Sequence, residues 1–80
     1  VAAMKCGLLP ISQEAMIIGN VSYHDYNGIV VEDSERSTIS CDLGANKVMF
    51  LRNHGFVACG TTVAEAFHLV YNLVLACDIQ

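Results

Sequence analysis

His54 is the residue in this chain best placed to do chemistry. It stands in Arg52-Asn53-His54-Gly55, directly after the apolar run from Lys47 to Leu51. A histidine there has its backbone fixed by a turn and its imidazole at the end of a sheet. Gly55 permits close approach of a ligand or an unusual backbone angle. The position suits a metal ligand. Spacing alone favours the plainer reading, a turn histidine that makes a local hydrogen bond. A catalytic zinc takes three protein ligands and keeps a fourth position open. His24 and His68 form no H-x-H or H-x-x-x-H pair with His54 or with each other. The sequence therefore does not complete a zinc site by itself. His68 reads as a packing or surface residue, and His24 as a strand residue with no ligand partner near it in sequence.

Other chemistries find less support. The serines, Ser12, Ser22, Ser34, Ser37 and Ser40, lie in no G-x-S-x-G nucleophile elbow. Gly55 and Gly60 do not make a phosphate-binding loop, because Gly60 is followed by Thr61-Thr62 and no lysine. Asp25, Glu32 and Asp33 read as solvated turn carboxylates. Phe50, Phe56 and Phe67 read as core residues.

Several elements must position His54. Ala2 to Leu9 reads as the tail of a helix that runs into a loop at Pro10. Ile11 to Met16 continues as irregular or short helical chain, and Gly19-Asn20 is a turn signal. Val21 to Tyr26 alternates β-branched and aromatic residues as a strand does, and Asn27-Gly28 closes it. Glu32 to Asp42 reads as a helix, with Glu32 and Arg36 four apart in the favourable order. Its serines and threonine weaken it, and Gly44 ends it. Lys47–Leu51 and Phe56–Cys59 read as two strands of a hairpin around Asn53-His54-Gly55. Thr62 and Glu65 have capping-box spacing at the start of a last helix. Val63, Ala66, Phe67, Val70, Val74 and Cys77 follow helical spacing, and Leu69, Leu73, Leu75 and Ala76 widen the apolar surface beyond one stripe. Such a helix is expected to be buried on several sides, against a sheet and another subunit. The order predicts an α/β chain with a β-sheet flanked by helices.

Composition bounds the function. Eighty residues allow one domain at most. Charged residues are 15% and apolar ones 54%, too few charges to cover a small free domain, so apolar interfaces are expected. Both ends read as cuts through a larger domain. Net charge is −4, and Lys5, Arg36, Lys47 and Arg52 are scattered, which excludes an electrostatic footprint for nucleic acid. No apolar run is long enough to span a bilayer. Cys6, Cys41, Cys59 and Cys77 contain no C-x-x-C pair. Reduced, buried cysteines of a cytosolic protein are expected.

Leu51-Arg52-Asn53-His54-Gly55, then Gly60, then Glu65-Ala66-Phe67, resembles the C-terminal signature of the class II aldolase/adducin family. Met4 to Glu14, Tyr23-His24-Asp25-Tyr26 and Ala76 to Gln80 resemble the head segment of its adducin members. The resemblance covers essentially the whole chain. It implies that residues 1–80 are the C-terminal part of an aldolase-like head domain, with a partial class II aldolase/adducin-like fold.

In the aldolases of this family, a histidine pair from an earlier H-x-H segment joins the histidine of the H-G turn on zinc, which stabilises an enediolate. By that resemblance His54 matches the third ligand, and the pair would precede Val1. The adducin members are regarded as having lost the full metal set, which would make His54 a relic and the domain non-catalytic, without a cofactor. The resemblance further implies a cytoplasmic protein at the cytoplasmic face of the plasma membrane, within the membrane skeleton. Its partners would be actin filaments and spectrin, reached through the full-length protein, and its head would form homo- or hetero-oligomers. The alternative is a zinc-dependent aldolase or epimerase acting on a sugar phosphate, with His54 as a ligand.

Overall fold

The computed structural model describes residues 1–25 and 33–80, and the side chains of all of these except 33–36. The Asn27-Gly28 turn and the Glu32–Arg36 pair lie outside the described residues. The elements run α1 (Gln13–Ile18), β1 (Ser22–His24), α2 (Asp33–Leu43), β2 (Val48–Leu51), β3 (Gly55–Ala58) and α3 (Val63–Ile79). The strands form one sheet in the order β1-β2-β3. β1 pairs with β2 in parallel, Tyr23 opposite Phe50, and β2 pairs with β3 antiparallel, Phe50 opposite Phe56. Parallel neighbours need a crossover, and α2 supplies it. The α/β arrangement and the hairpin agree with the sequence expectation.

Side chains alternate across a strand, and that alternation sorts the two faces. Val48 and Phe50 of β2 point to one face and form the core with Ile18 of α1 and Leu69 and Leu73 of α3. Tyr23 stacks on Phe50 there, and Phe56 meets Phe50 edge-on. Met49 is fully buried on the other face. That face also takes Ser22 and His24 of β1, which bond to the last turn of α2: Ser22 Oγ donates to the Leu43 carbonyl.

The helix starts follow from capping. The Ser12 hydroxyl accepts from the Ala15 N–H and begins α1, and Gly19, at φ 75°, ends it. The Thr62 hydroxyl accepts from the Glu65 N–H and begins α3. The reciprocal bond differs from a standard capping box: the Glu65 carboxylate accepts from the N–H and hydroxyl of Thr61, not from the Thr62 N–H.

Four sequence expectations need correction. Ala2 to Leu9 is not a helix tail but a string of turns, with Met4 N–H donating to the Val1 carbonyl and Gly7 N–H to that of Met4. Gly7 sits at φ 67°, where a right-handed helix cannot continue. The predicted strand Val21–Tyr26 is shorter: β1 ends at His24, Asp25 is exposed loop, and Tyr26 lies outside the described residues. Phe67 is not core: it is 70% exposed, because α3 turns Leu69, Asn72, Leu73 and Ala76 inward instead. The four cysteines are free, but Cys6, Cys41 and Cys59 are exposed and only Cys77 is half-buried. Cys59 lies just past the end of β3, where the chain leaves the sheet. Burial pushes the Cys77 thiol pKa up. No helix among the described residues is long and apolar enough to cross a membrane.

Candidate functional site

His54 lies on the turn between β2 and β3, exposed to solvent. Its N–H donates to the Leu51 carbonyl at 2.9 Å, which closes the turn. The left-handed angle anticipated at Gly55 falls on Asn53 instead, at φ 62°. Gly55 is the first residue of β3 and a Cβ there would meet nothing within 4 Å. Asparagine tolerates the left-handed region better than most side chains.

The turn is held from two directions. Asn53 N–H donates to the Ala2 carbonyl, and Arg52 N–H to that of His24, each at 2.9 Å. The Arg52 guanidinium lies 4.6 Å from the centre of the Tyr23 ring, a cation–π contact. The Tyr23 hydroxyl in turn accepts from Leu8 N–H at 3.0 Å. Gln80 closes the circuit: its side chain accepts from Leu9 N–H and donates to the Gly7 carbonyl, each at 2.9 Å. The loop that carries His54 is thereby fixed to the N-terminal turns, and those turns to the end of α3.

His24 is the histidine that sequence reasoning undervalued. It is buried, and its Nδ1 lies 2.7 Å from the Asp42 carboxylate. With the carboxylate accepting, Nδ1 carries the proton of that bond. Asp42 comes from the last turn of α2, so the pair exists only because α2 packs on the β1 face. His68 is exposed as expected, beside Asn72, whose amide donates to the His68 carbonyl. The structure thus places the three histidines on a turn, inside a strand and on a helix surface, and does not bring them together.

At the opposite end of β2, Lys47 meets Glu65 in an ion pair. They border an open cleft of about 460 Å³, with Asn20, Asn46 and His68. The Lys47 hydrogen bond, then those from the Thr61 hydroxyl and N–H, lower the Glu65 pKa from 4.5 to about 2. A depressed carboxylate stabilises the fold above its unfolded pKa and loses that contribution as pH falls through the folded one. The window is therefore pH 4.5 down to about 2. A carbon-detected NMR titration of Glu65 should show this midpoint, and Lys47→Met should move it up towards 4.5. An unmoved midpoint would mean that Lys47 is not the cause.

The described residues do not by themselves complete a catalytic zinc site. Among the described residues, no group of three or more His, Cys, Asp or Glu stands close enough to hold a metal ion. His54 supplies one ligand of the three required. No reaction step follows from it alone.

Known proteins place this geometry. Residues 1–80 match the class II aldolase and adducin N-terminal domain. The chain is 57% identical to mouse alpha-adducin, 53% to human gamma-adducin and 47% to rat beta-adducin, over its whole length in each case. It spans only 11–12% of those proteins. An aldolase II superfamily protein from Pseudomonas syringae superposes on 99% of this chain with a TM-score of 0.94 at 46% identity, and 32% of that protein's chain is matched. Sheet, hairpin turn and capped last helix are together those of the class II aldolase and adducin N-terminal domain family, to which this chain belongs.

Proposed function

We propose that residues 1–80 are the C-terminal part of a non-catalytic, adducin-like head domain. In this reading the parent protein belongs to the membrane skeleton at the cytoplasmic face of the plasma membrane, where it promotes spectrin–actin assembly and caps actin filaments. This segment contributes fold and head-to-head oligomerisation, not the filament contact. The observation that carries the reading is the 57% identity to alpha-adducin across the entire chain. The turn chemistry supports it: the bonds around residues 52–54 are made by backbone groups and the Arg52 side chain, so the loop keeps its shape whether or not the His54 imidazole binds anything.

A second reading is a zinc-dependent aldolase or epimerase acting on a sugar phosphate, with His54 as one ligand. The likeness to the Pseudomonas syringae aldolase II superfamily protein, 46% identical at a TM-score of 0.94, motivates it. Metal analysis of the purified full-length protein separates the two. The head-domain reading expects no stoichiometric zinc, and His54→Ala with unchanged oligomer mass. One zinc per chain that disappears in His54→Ala would overturn it in favour of the enzyme.

A further inference from the structure

The two faces of the sheet are covered in different ways. On the core face, α1 buries Ala15 and Ile18, and α3 buries Leu69, Leu73 and Ala76. On the other face α2 packs against β1 and β2, where Met49, His24 and Ser22 are buried. Yet none of the described side chains of α2, Ser37 to Leu43, is itself buried: Ile39 and Leu43 are half-buried and the others exposed. The core cluster takes nothing from α2. Polar bonds instead tie the end of this helix to the sheet. The Ser22 hydroxyl donates to the Leu43 carbonyl and accepts from the Asn46 side-chain amide, each at 2.9 Å. His24 Nδ1 meets the Asp42 carboxylate at 2.7 Å.

We infer that α2 is a latched lid: it leaves the sheet as a unit while the sheet, α1 and α3 stay closed, and the bonds of Ser22 and His24 are the latch. Elements with few buried apolar contacts open at low free energy, and α2 brings few. Its opening spares the core, because that core lies on the opposite face. The latch makes the opening all-or-none. Ser22 and His24 are buried polar groups, and leaving either without a partner costs more than the bond itself returns. Their bonds therefore break together, as water reaches both. Once undocked, the helix does not persist. It has 11 residues, too few to be stable alone in water, and Ser37, Thr38 and Ser40 favour caps and turns over a helix interior. The open form presents a sheet face, with Ser22, His24 and Met49, that the closed form hides. The inference holds under either functional reading, since it uses neither a metal nor a partner.

Native-state amide hydrogen exchange in the unmutated full-length protein, read by mass spectrometry with electron-transfer fragmentation, tests this without a variant that might not fold. The amides of Ser40 to Leu43 should share one protection factor, about a hundredfold or more below those of β2 and of Leu69 to Leu73. Two variants then separate lid from core. Ile18→Val trims the core and should lower protection in β2 and α3 roughly fivefold, leaving that of α2 unchanged. Asp42→Ala leaves the His24 imidazole buried without this carboxylate and should lower α2 protection roughly tenfold. Asp42→Asn, whose side-chain oxygen still accepts from Nδ1, should lower it less. Protection in α2 equal to that in β2, or falling in step with it in Ile18→Val, would mean that the helix opens only when the whole domain unfolds. Graded values along Ser40 to Leu43 would mean fraying, and an α2 indifferent to Asp42→Ala would mean no latch. Each of these would overturn the proposal.

Discussion

Phe50→Ala should lower the unfolding free energy of the domain by about 3–5 kcal/mol, the range for emptying a buried phenylalanine site. Phe50 is 1% exposed at the centre of β2, the middle strand. It packs with Ile18, Val48, Leu69 and Leu73, from α1, β2 and α3 together. Its ring stacks on Tyr23 at 5.9 Å and meets Phe56 edge-on at 6.3 Å. Three costs therefore fall on one residue: lost transfer energy, a cavity in the middle layer that strand pairing on both sides keeps from collapsing, and two aromatic contacts worth about 0.5–1.5 kcal/mol each. Phe50→Leu restores most of the volume but still loses both ring contacts, so it should cost about 1–3 kcal/mol, less than alanine. Urea unfolding of the full-length protein, followed by near-ultraviolet circular dichroism, reads both variants. Equal losses for alanine and leucine would place the cost in ring stacking and not in the cavity.

Gly7→Ala should cost about 3 kcal/mol, an effect out of proportion to one added methyl group. Gly7 adopts φ 67°, where an L side chain costs roughly 1–2 kcal/mol. A Cβ there would lie 2.3 Å from the Tyr23 hydroxyl oxygen. The ring cannot swing away cheaply. It is held by the Leu8 N–H bond, by Phe50 stacked on one side and by the Arg52 guanidinium. Displacing it removes a hydrogen bond worth about 1 kcal/mol and a cation–π contact worth about 0.5–1 kcal/mol. Gly44 is the internal control. It has a similar angle, φ 58°, and a Cβ there meets only the Cys41 carbonyl oxygen at an ordinary 3.9 Å, so Gly44→Ala should show the backbone cost alone, about 1–2 kcal/mol. Thermal unfolding of the pair decides the matter: identical shifts would mean that Tyr23 gives way freely and is not a clamp. Because Arg52 begins the turn of His54, Gly7→Ala should also loosen that turn, visible as faster amide exchange at Asn53 and His54.

The contrast between Phe50 and Phe67 shows how far the sequence could be read. Both are phenylalanines in apolar periodic segments, and composition treats them alike. Strand alternation and the parallel register put Phe50 inside, whereas α3 has apolar residues around most of its circumference, so its own pattern does not say which side meets the sheet. The inward side became Leu69, Leu73 and Ala76 because α1 and the sheet lie there. His24 and Asp42 give the same lesson for polar groups. They stand 18 apart in sequence, and nothing local links a strand end to the last turn of the next helix until the crossover brings them to 2.7 Å. The asymmetry of the hairpin turn was likewise hidden, since a glycine after a histidine draws attention to itself while Asn53 takes the strained angle.

What the chain determined unaided was local: the helix start at Thr62, the two strands around residues 52–54, and the family likeness in their residues. Each depends on groups within a few positions of one another, so neighbouring side chains and backbone donors suffice to specify it. The tertiary structure alone decided which face of α3 is core, which histidine is buried and with what partner, and how the His54 turn is braced by residues from both ends of the chain. Those depend on contacts between segments far apart in sequence, whose formation is governed by packing and strand register and leaves no periodic trace.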